Sequence, residues 1–135
     1  MNSKTIKSGS NILVVDDQDA LRGMFSEFLV SKGMATKQAE NGLKCLEQVA
    51  LQTFEAIFLD VRMPTMDGLE TLSILREQGV NAVIILMSGF DTISSMEEAK
   101  QNGADGFLAK PFKPESAFQL LGNIQMAKAE QLGLS

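Results

Sequence analysis

The chain of 135 residues is predicted to be an α/β domain, with one parallel sheet covered by helices on both faces. Three observations lead there. Short apolar runs alternate with segments of helical period, strand then helix, five times over. The runs at 12–15, 56–59 and 82–87 read ILVV, AIFL and AVIILM, apolar throughout, as strands buried on both sides must be. The length suits a single core, and no repeat, low-complexity tract or internal boundary interrupts the pattern.

The elements follow in order. Ile12–Val15 is the first strand. Residues 18–31 place Leu21, Met24, Phe25, Phe28 and Leu29 three and four apart, which predicts an amphipathic helix burying that stripe, ended by Gly33. MATKQA at 34–39 is a weak strand, read as an edge guarded by Lys37. Asn41-Gly42 opens a helix with Leu43, Leu46, Val49 and Ala50 inward, and FEAIFL at 54–59 is a strand. After the loop DVRMPTMD, a helix at 67–78 starts with Asp67 and Glu70 spaced as a capping box. The strand at 81–87 precedes a polar helix at 91–102 carrying Ile93, Met96 and Ala99, closed by Gly103. DGFLA at 105–109 is a short strand. Pro114 stands at a favoured first helical position, and the last helix carries Phe118, Leu121, Ile124 and Met126.

Composition narrows the function. Seventeen acids against twelve bases leave −5, which argues against nucleic acid or an anionic membrane as a direct partner. No apolar run approaches the ~20 residues of a membrane span. Residues 1–10 lack the apolar stretch of a secretory signal and read as a flexible tail, with the domain at 11–130 and 131–135 a second tail or the start of a linker. The lone Cys45 fits a reducing cytoplasm. With no histidine, Ser-His-Asp catalysis and His-based zinc sites are excluded.

The chemistry collects at one edge. Ligands of open parallel sheets bind beyond the carboxyl ends of the strands. Asp16 and Asp17 end the first strand, Asp60 the third, Ser88 the fourth and Lys110 the fifth. If the first and third strands are neighbours, about 5 Å apart, their carboxylates crowd one another. Three carboxylates in one crevice repel unless protonated or bridged by a cation, and Lys110 supplies one charge. All-oxygen ligands select a hard divalent ion, Mg²⁺ first and Mn²⁺ second. Mg²⁺ keeps positions for water and phosphate oxygens, so a phosphate-handling site is expected.

VVDD at 14–17, FLDVRMPTMDG at 58–68, MSG at 87–89 and KPF at 110–112 resemble, in order and spacing, the motifs of bacterial response-regulator receiver domains. The resemblance spans roughly residues 11–127 and implies the CheY-like, flavodoxin-type doubly wound sheet of strand order 2-1-3-4-5. It implies that Asp60 accepts a phosphoryl group from a phosphohistidine of a sensor histidine kinase or a histidine phosphotransfer protein. Asp17, Asp60 and the main-chain carbonyl of Arg62 would ligate Mg²⁺, and Asp16 would help through a water. Lys110 and Ser88 would contact phosphoryl oxygens, and Lys110-Pro111 would be a cis peptide. Ser88 and Phe107 would form the switch, reshaping the face of the helix at 91–102, the strand at 105–109 and the last helix, which also offers a dimer contact. Arg62 and Phe90 flank the phosphoryl position and would tune hydrolysis. Ser88 replaces the commoner threonine, keeping the hydroxyl and losing a methyl; Phe107 replaces the common tyrosine and cannot hydrogen-bond, so its coupling would be looser or purely steric. The output target, or output domain, is not legible. The sequence admits both a stand-alone receiver and part of a longer regulator.

Plainer roles fit several neighbours: Asp67-Gly68 as turn and cap, Met63 and Met66 as packing, Asp19 as first-turn charge, and Cys45 as a helix residue without redox use. Three other functions compete. A Mg²⁺-dependent aspartyl phosphohydrolase wants an acid two positions after the nucleophile, where Arg62 stands. A flavin-binding module wants a Gly/Ser/Thr-rich first loop, where Asp16-Asp17-Gln18-Asp19 stands. A receiver-like protein-binding platform without phosphotransfer need not retain the acids, the hydroxyl and the lysine.

Overall fold

The computed structural model describes residues 9–89 and 92–133, without the side chains of 92–95. Five strands and five helices alternate: β1 (Asn11–Val15), α1 (Asp19–Ser31), β2 (Ala35–Ala39), α2 (Gly42–Leu51), β3 (Ala56–Asp60), α3 (Gly68–Glu77), β4 (Val83–Ser88), α4 (Thr92–Gln101), β5 (Gly106–Ala109) and α5 (Pro114–Gln131). All strand pairs are parallel, in the order β2-β1-β3-β4-β5, as the sequence predicts. The register puts Val15 beside Leu59, Asp60 beside Met87 and Ser88 beside Ala109, so the polar residues that end these strands share one edge.

Alternation along the strands builds two cores. Leu13, Val15, Ile57, Leu59, Ile84 and Leu86 face Cys45 of α2, Leu72 and Leu75 of α3, and Ala99 of α4. Ile12, Val14, Phe58, Ile85 and Met87 face Phe25 and Leu29 of α1 and Ala117 and Leu121 of α5. Phe25 meets Phe58 edge-on at 4.9 Å, a favoured aromatic geometry. Cys45 is fully buried, and desolvation pushes its thiol up to about 12, in keeping with an inert packing residue.

Four helical stripes differ from expectation. Leu21 and Met24 are 46% and 66% exposed, and α1 turns inward through Phe25, Ser26 and Leu29 instead. In α2 the inward residues are Gly42 and Cys45, with Leu46 and Val49 partly buried, while Leu43 and Ala50 are exposed. Gly42 sits against the Thr71 side chain of α3, and this close helix contact fixes the rotation of α2. Met96 and Met126 are likewise largely exposed. The side chain of Ile93 and all of Phe90 lie outside the described residues.

The ends are tied more closely than the sequence suggests. Gly9 donates to the Gly33 carbonyl at 2.6 Å, and Ala35 donates to that of Ser10 at 2.8 Å, at the end of the segment expected as a tail. Residues 1–8 lie outside the described residues. At the amino edge of the sheet, Arg76 donates to the carbonyls of Val80, Ala82 and Gly103 and pairs with Asp105 at 2.9 Å. Asp105 also pairs with Lys128 of α5 at 2.9 Å. This network joins α3, the turn before β5 and α5 by charge-assisted bonds.

The Ser26 side chain of α1 is buried, and its hydroxyl has no hydrogen-bond partner among the described residues. A buried hydroxyl left unpaired costs about 1–3 kcal/mol, so Ser26→Ala is expected to raise the denaturant midpoint at unchanged m-value. A lower midpoint would mean that the hydroxyl has a partner in solution.

Candidate functional site at the carboxyl edge of the sheet

Asp16 is the first residue past β1 and is 3% exposed. Its amide donates to the Ala39 carbonyl at 3.1 Å, and its Oδ1 accepts the Gln18 amide at 2.9 Å. Its Oδ2 accepts the Lys110 ammonium at 2.8 Å. Asp60, the last residue of β3, is 4% exposed. Its Oδ2 accepts Lys110 at 3.3 Å, and its Oδ1 accepts the Arg62 amide at 3.3 Å. Asp17 is exposed, yet it brings a carboxylate oxygen within 4.8 Å of those of Asp16 and Asp60.

Charge at this edge is strongly coupled. Burial and the neighbouring Asp16 carboxylate push Asp60 up to about 6, against the pull of Lys110. For Lys110, burial acts downward, but its hydrogen bond to Asp16 and the Asp60 and Asp16 charges outweigh it and hold the ammonium above its ordinary range. One ammonium therefore serves two buried carboxylates beside a third acid. The surplus negative charge and the all-oxygen donor set fit a hard divalent cation.

Asp17, Gln18, Asp60, Arg62, Gly89 and Lys110 line an open cavity of about 430 Å³ over the carboxylates. Ser88, 3% exposed, ends β4 at its rim, where its carbonyl accepts the Lys110 amide at 2.8 Å. Lys110-Pro111 is a cis peptide. The Arg62 side chain is exposed, and its main-chain amide donates to Asp60. Phe107 is half-buried against the core beneath α2, α3 and α4. The predicted site residues thus meet at one edge, except Phe107, which stands a strand's length inside, and Phe90, outside the described residues.

Three contributors escaped the sequence reading. Arg22 of α1 donates to the Asp16 carbonyl at 2.7 Å. The Gln18 amide holds Asp16. Gly68 starts α3 directly against the end of β3: a Cβ there would overlap the Asp60 carbonyl oxygen and come within 2.8 Å of the Val61 Cα. Asp67 caps α3 by accepting the Glu70 amide at 2.9 Å, as its spacing predicts.

A doubly wound sheet with an acidic crevice and a half-buried lysine at its carboxyl edge defines the class of the molecule. Residues 12–121 match the family model of the response regulator receiver domain, and the chain belongs to that family. Sporulation initiation phosphotransferase F of Bacillus subtilis is 36% identical over 101 residues, covering 75% of this chain and 82% of that protein. Response regulator MprA of Mycobacterium ulcerans is 38% identical over 77% of this chain and 45% of its own length, so the chain spans about half of that relative. A solved response regulator from Burkholderia pseudomallei, holding a phosphorylated aspartic acid, a calcium ion and citrate, superposes with a TM-score of 0.80. It is 31% identical, and the match covers 90% of this chain and 72% of that one. Receiver domains of this family are signalling domains.

Proposed function

We propose that the chain is a phosphoacceptor switch in which Asp60 takes a phosphoryl group from a phosphohistidine. The carrying observation is the place of Asp60: a buried carboxylate that opens on a cavity, flanked by Lys110 and by the Asp16–Asp17 pair. The name of the Bacillus relative and the phosphorylated aspartic acid of the Burkholderia protein support the same reading. An Asp60 oxygen attacks phosphorus in line as the phosphorus–nitrogen bond of the donor imidazole breaks; the electron pair returns to the ring nitrogen, giving a neutral histidine when the other ring nitrogen already carries a proton. Lys110, already bound to Asp60, moves with the charge to a phosphoryl oxygen, and the Ser88 hydroxyl donates to another. Asp17, Asp60 and the Arg62 carbonyl would hold Mg²⁺, or Mn²⁺, with Asp16 acting through water; the ion when bound offsets the combined charge of carboxylate and phosphoryl group.

The inward pull on Ser88 carries the start of α4 with it, and Phe107 follows into the space released. The face of α4, β5 and α5 then presents a different surface to an output target or to a second copy of the chain. A sensor histidine kinase or a histidine phosphotransfer protein is the donor, and the cytoplasm is the setting. Among the described residues, no helix is long and apolar enough to cross a membrane.

Intact mass after incubation with Mg²⁺ and acetyl phosphate tests the reading. One phosphoryl adduct is expected, absent from Asp60→Asn. No adduct from acetyl phosphate or from any phosphohistidine donor would leave a protein-binding platform instead.

A further inference from the structure

We propose that Arg22 is a positioning residue for the acidic site, acting through the peptide that joins Asp16 to Asp17. The inference rests on the divalent-ion reading of that site. Of the three acids, Asp16 and Asp60 are buried and held by several partners, whereas Asp17 is exposed. What places Asp17 is the main chain on its amino side. There the Asp16 carbonyl accepts the Arg22 guanidinium at 2.7 Å, while the Asp16 amide is already bound to Ala39. The peptide plane between the two acids is therefore gripped, and with it the direction in which the Asp17 side chain leaves the backbone.

The guanidinium is itself fixed. Its Nε donates to Gln38 Oε1 on the edge strand at 3.0 Å, and its other terminal nitrogen pairs with Asp19 at 2.8 Å. The Arg22 side chain is only 13% exposed. A planar fork is needed to reach three acceptors at once, just past β1, on β2 and in the first turn of α1, and a lysine, with one point donor, cannot reproduce it. Residues one shell out from a metal orient its ligands, and changing them typically costs about 10–100-fold in affinity.

Calorimetric titration of the metal-free protein with Mg²⁺, paired with thermal melts, provides the test. Arg22→Met keeps the aliphatic stem and is expected to weaken Mg²⁺ binding about tenfold. Gln38→Ala, which removes one leg of the clamp and is expected to fold normally, should weaken it by a smaller factor. Arg22→Lys should recover part of the loss. Asn41→Ala, which removes the α2 cap, should lower the melting temperature and leave the affinity unchanged. Unchanged affinity in Arg22→Met and Gln38→Ala, full recovery in Arg22→Lys, or an equal loss in Asn41→Ala would each overturn the proposal. A wild-type protein that binds no Mg²⁺ would overturn the divalent-ion reading beneath it.

Discussion

Lys110→Met is expected to destabilise the metal-free protein by about 3 kcal/mol at pH 7, the scale for breaking a buried ion pair by removing one partner. The methionine fills much of the same volume, so the loss is electrostatic rather than a cavity. Asp16 and Asp60 are left facing each other, 3% and 4% exposed, with their shared ammonium gone. The sign with pH follows from the linkage. The carboxyl of Asp60 titrates at about 6 in the fold against 3.8 when unfolded, so the folded state takes up its proton first. Without the pull of Lys110 it does so at still higher pH. Acidification from pH 8 to 5 should therefore return much of the lost stability, as should Mg²⁺ at neutral pH. The raised Lys110 contributes its own stability throughout the neutral range and loses it only in strong base. A variant equally destabilised at pH 5 and pH 8 would contradict this account.

The same linkage applies to Asp60→Asn. A carboxylate raised by about two units opposes folding above its folded pKa by up to about 3 kcal/mol, at 1.36 kcal/mol per unit. The amide removes that opposition but also one partner of Lys110. A net gain of about 1–2 kcal/mol is expected in metal-free buffer at pH 8, shrinking toward pH 4 and vanishing in Mg²⁺. Thermal melts at the two pH values check it.

Gly68→Ala is the second large effect. The added methyl meets backbone of Asp60 and Val61, not the tip of a movable side chain. Either α3 backs away from the sheet or the end of β3 shifts. A cost of about 3 kcal/mol, the upper part of the overpacking range, is expected in chemical denaturation. Phosphorylation by acetyl phosphate should slow by about 10²-fold, since a displacement near 1 Å is enough for that. Loss of stability with the wild-type rate would show that α3 moves and Asp60 does not.

The strand pattern was legible because β1, β3 and β4 are buried on both faces, so their apolar runs need no interpretation. The gathering of the acids, Ser88 and Lys110 at one edge was legible because each stands at or just past the carboxyl end of a strand. Arg22 was not, because it acts on a carbonyl six positions back and on a side chain of β2, and no local spacing encodes that pairing. Gly68 read as turn chemistry, since a close approach between α3 and β3 leaves no trace in the sequence around it. Leu21 and Met24 fit a helical stripe, yet they stand exposed while Phe25 and Leu29 of the same helix are buried. Periodicity tells which residues share a side of a helix, not where the opposing surface stops.

Calorimetric titration of the metal-free protein with Mg²⁺ at neutral pH, repeated for Asp17→Asn, bears most directly on the crowding of Asp16, Asp17 and Asp60. One binding site per chain is expected, with release of any proton held by Asp60 as the ion binds, and an affinity at least tenfold lower in Asp17→Asn. An isotherm flat to tens of millimolar Mg²⁺, or one identical in Asp17→Asn, would contradict it.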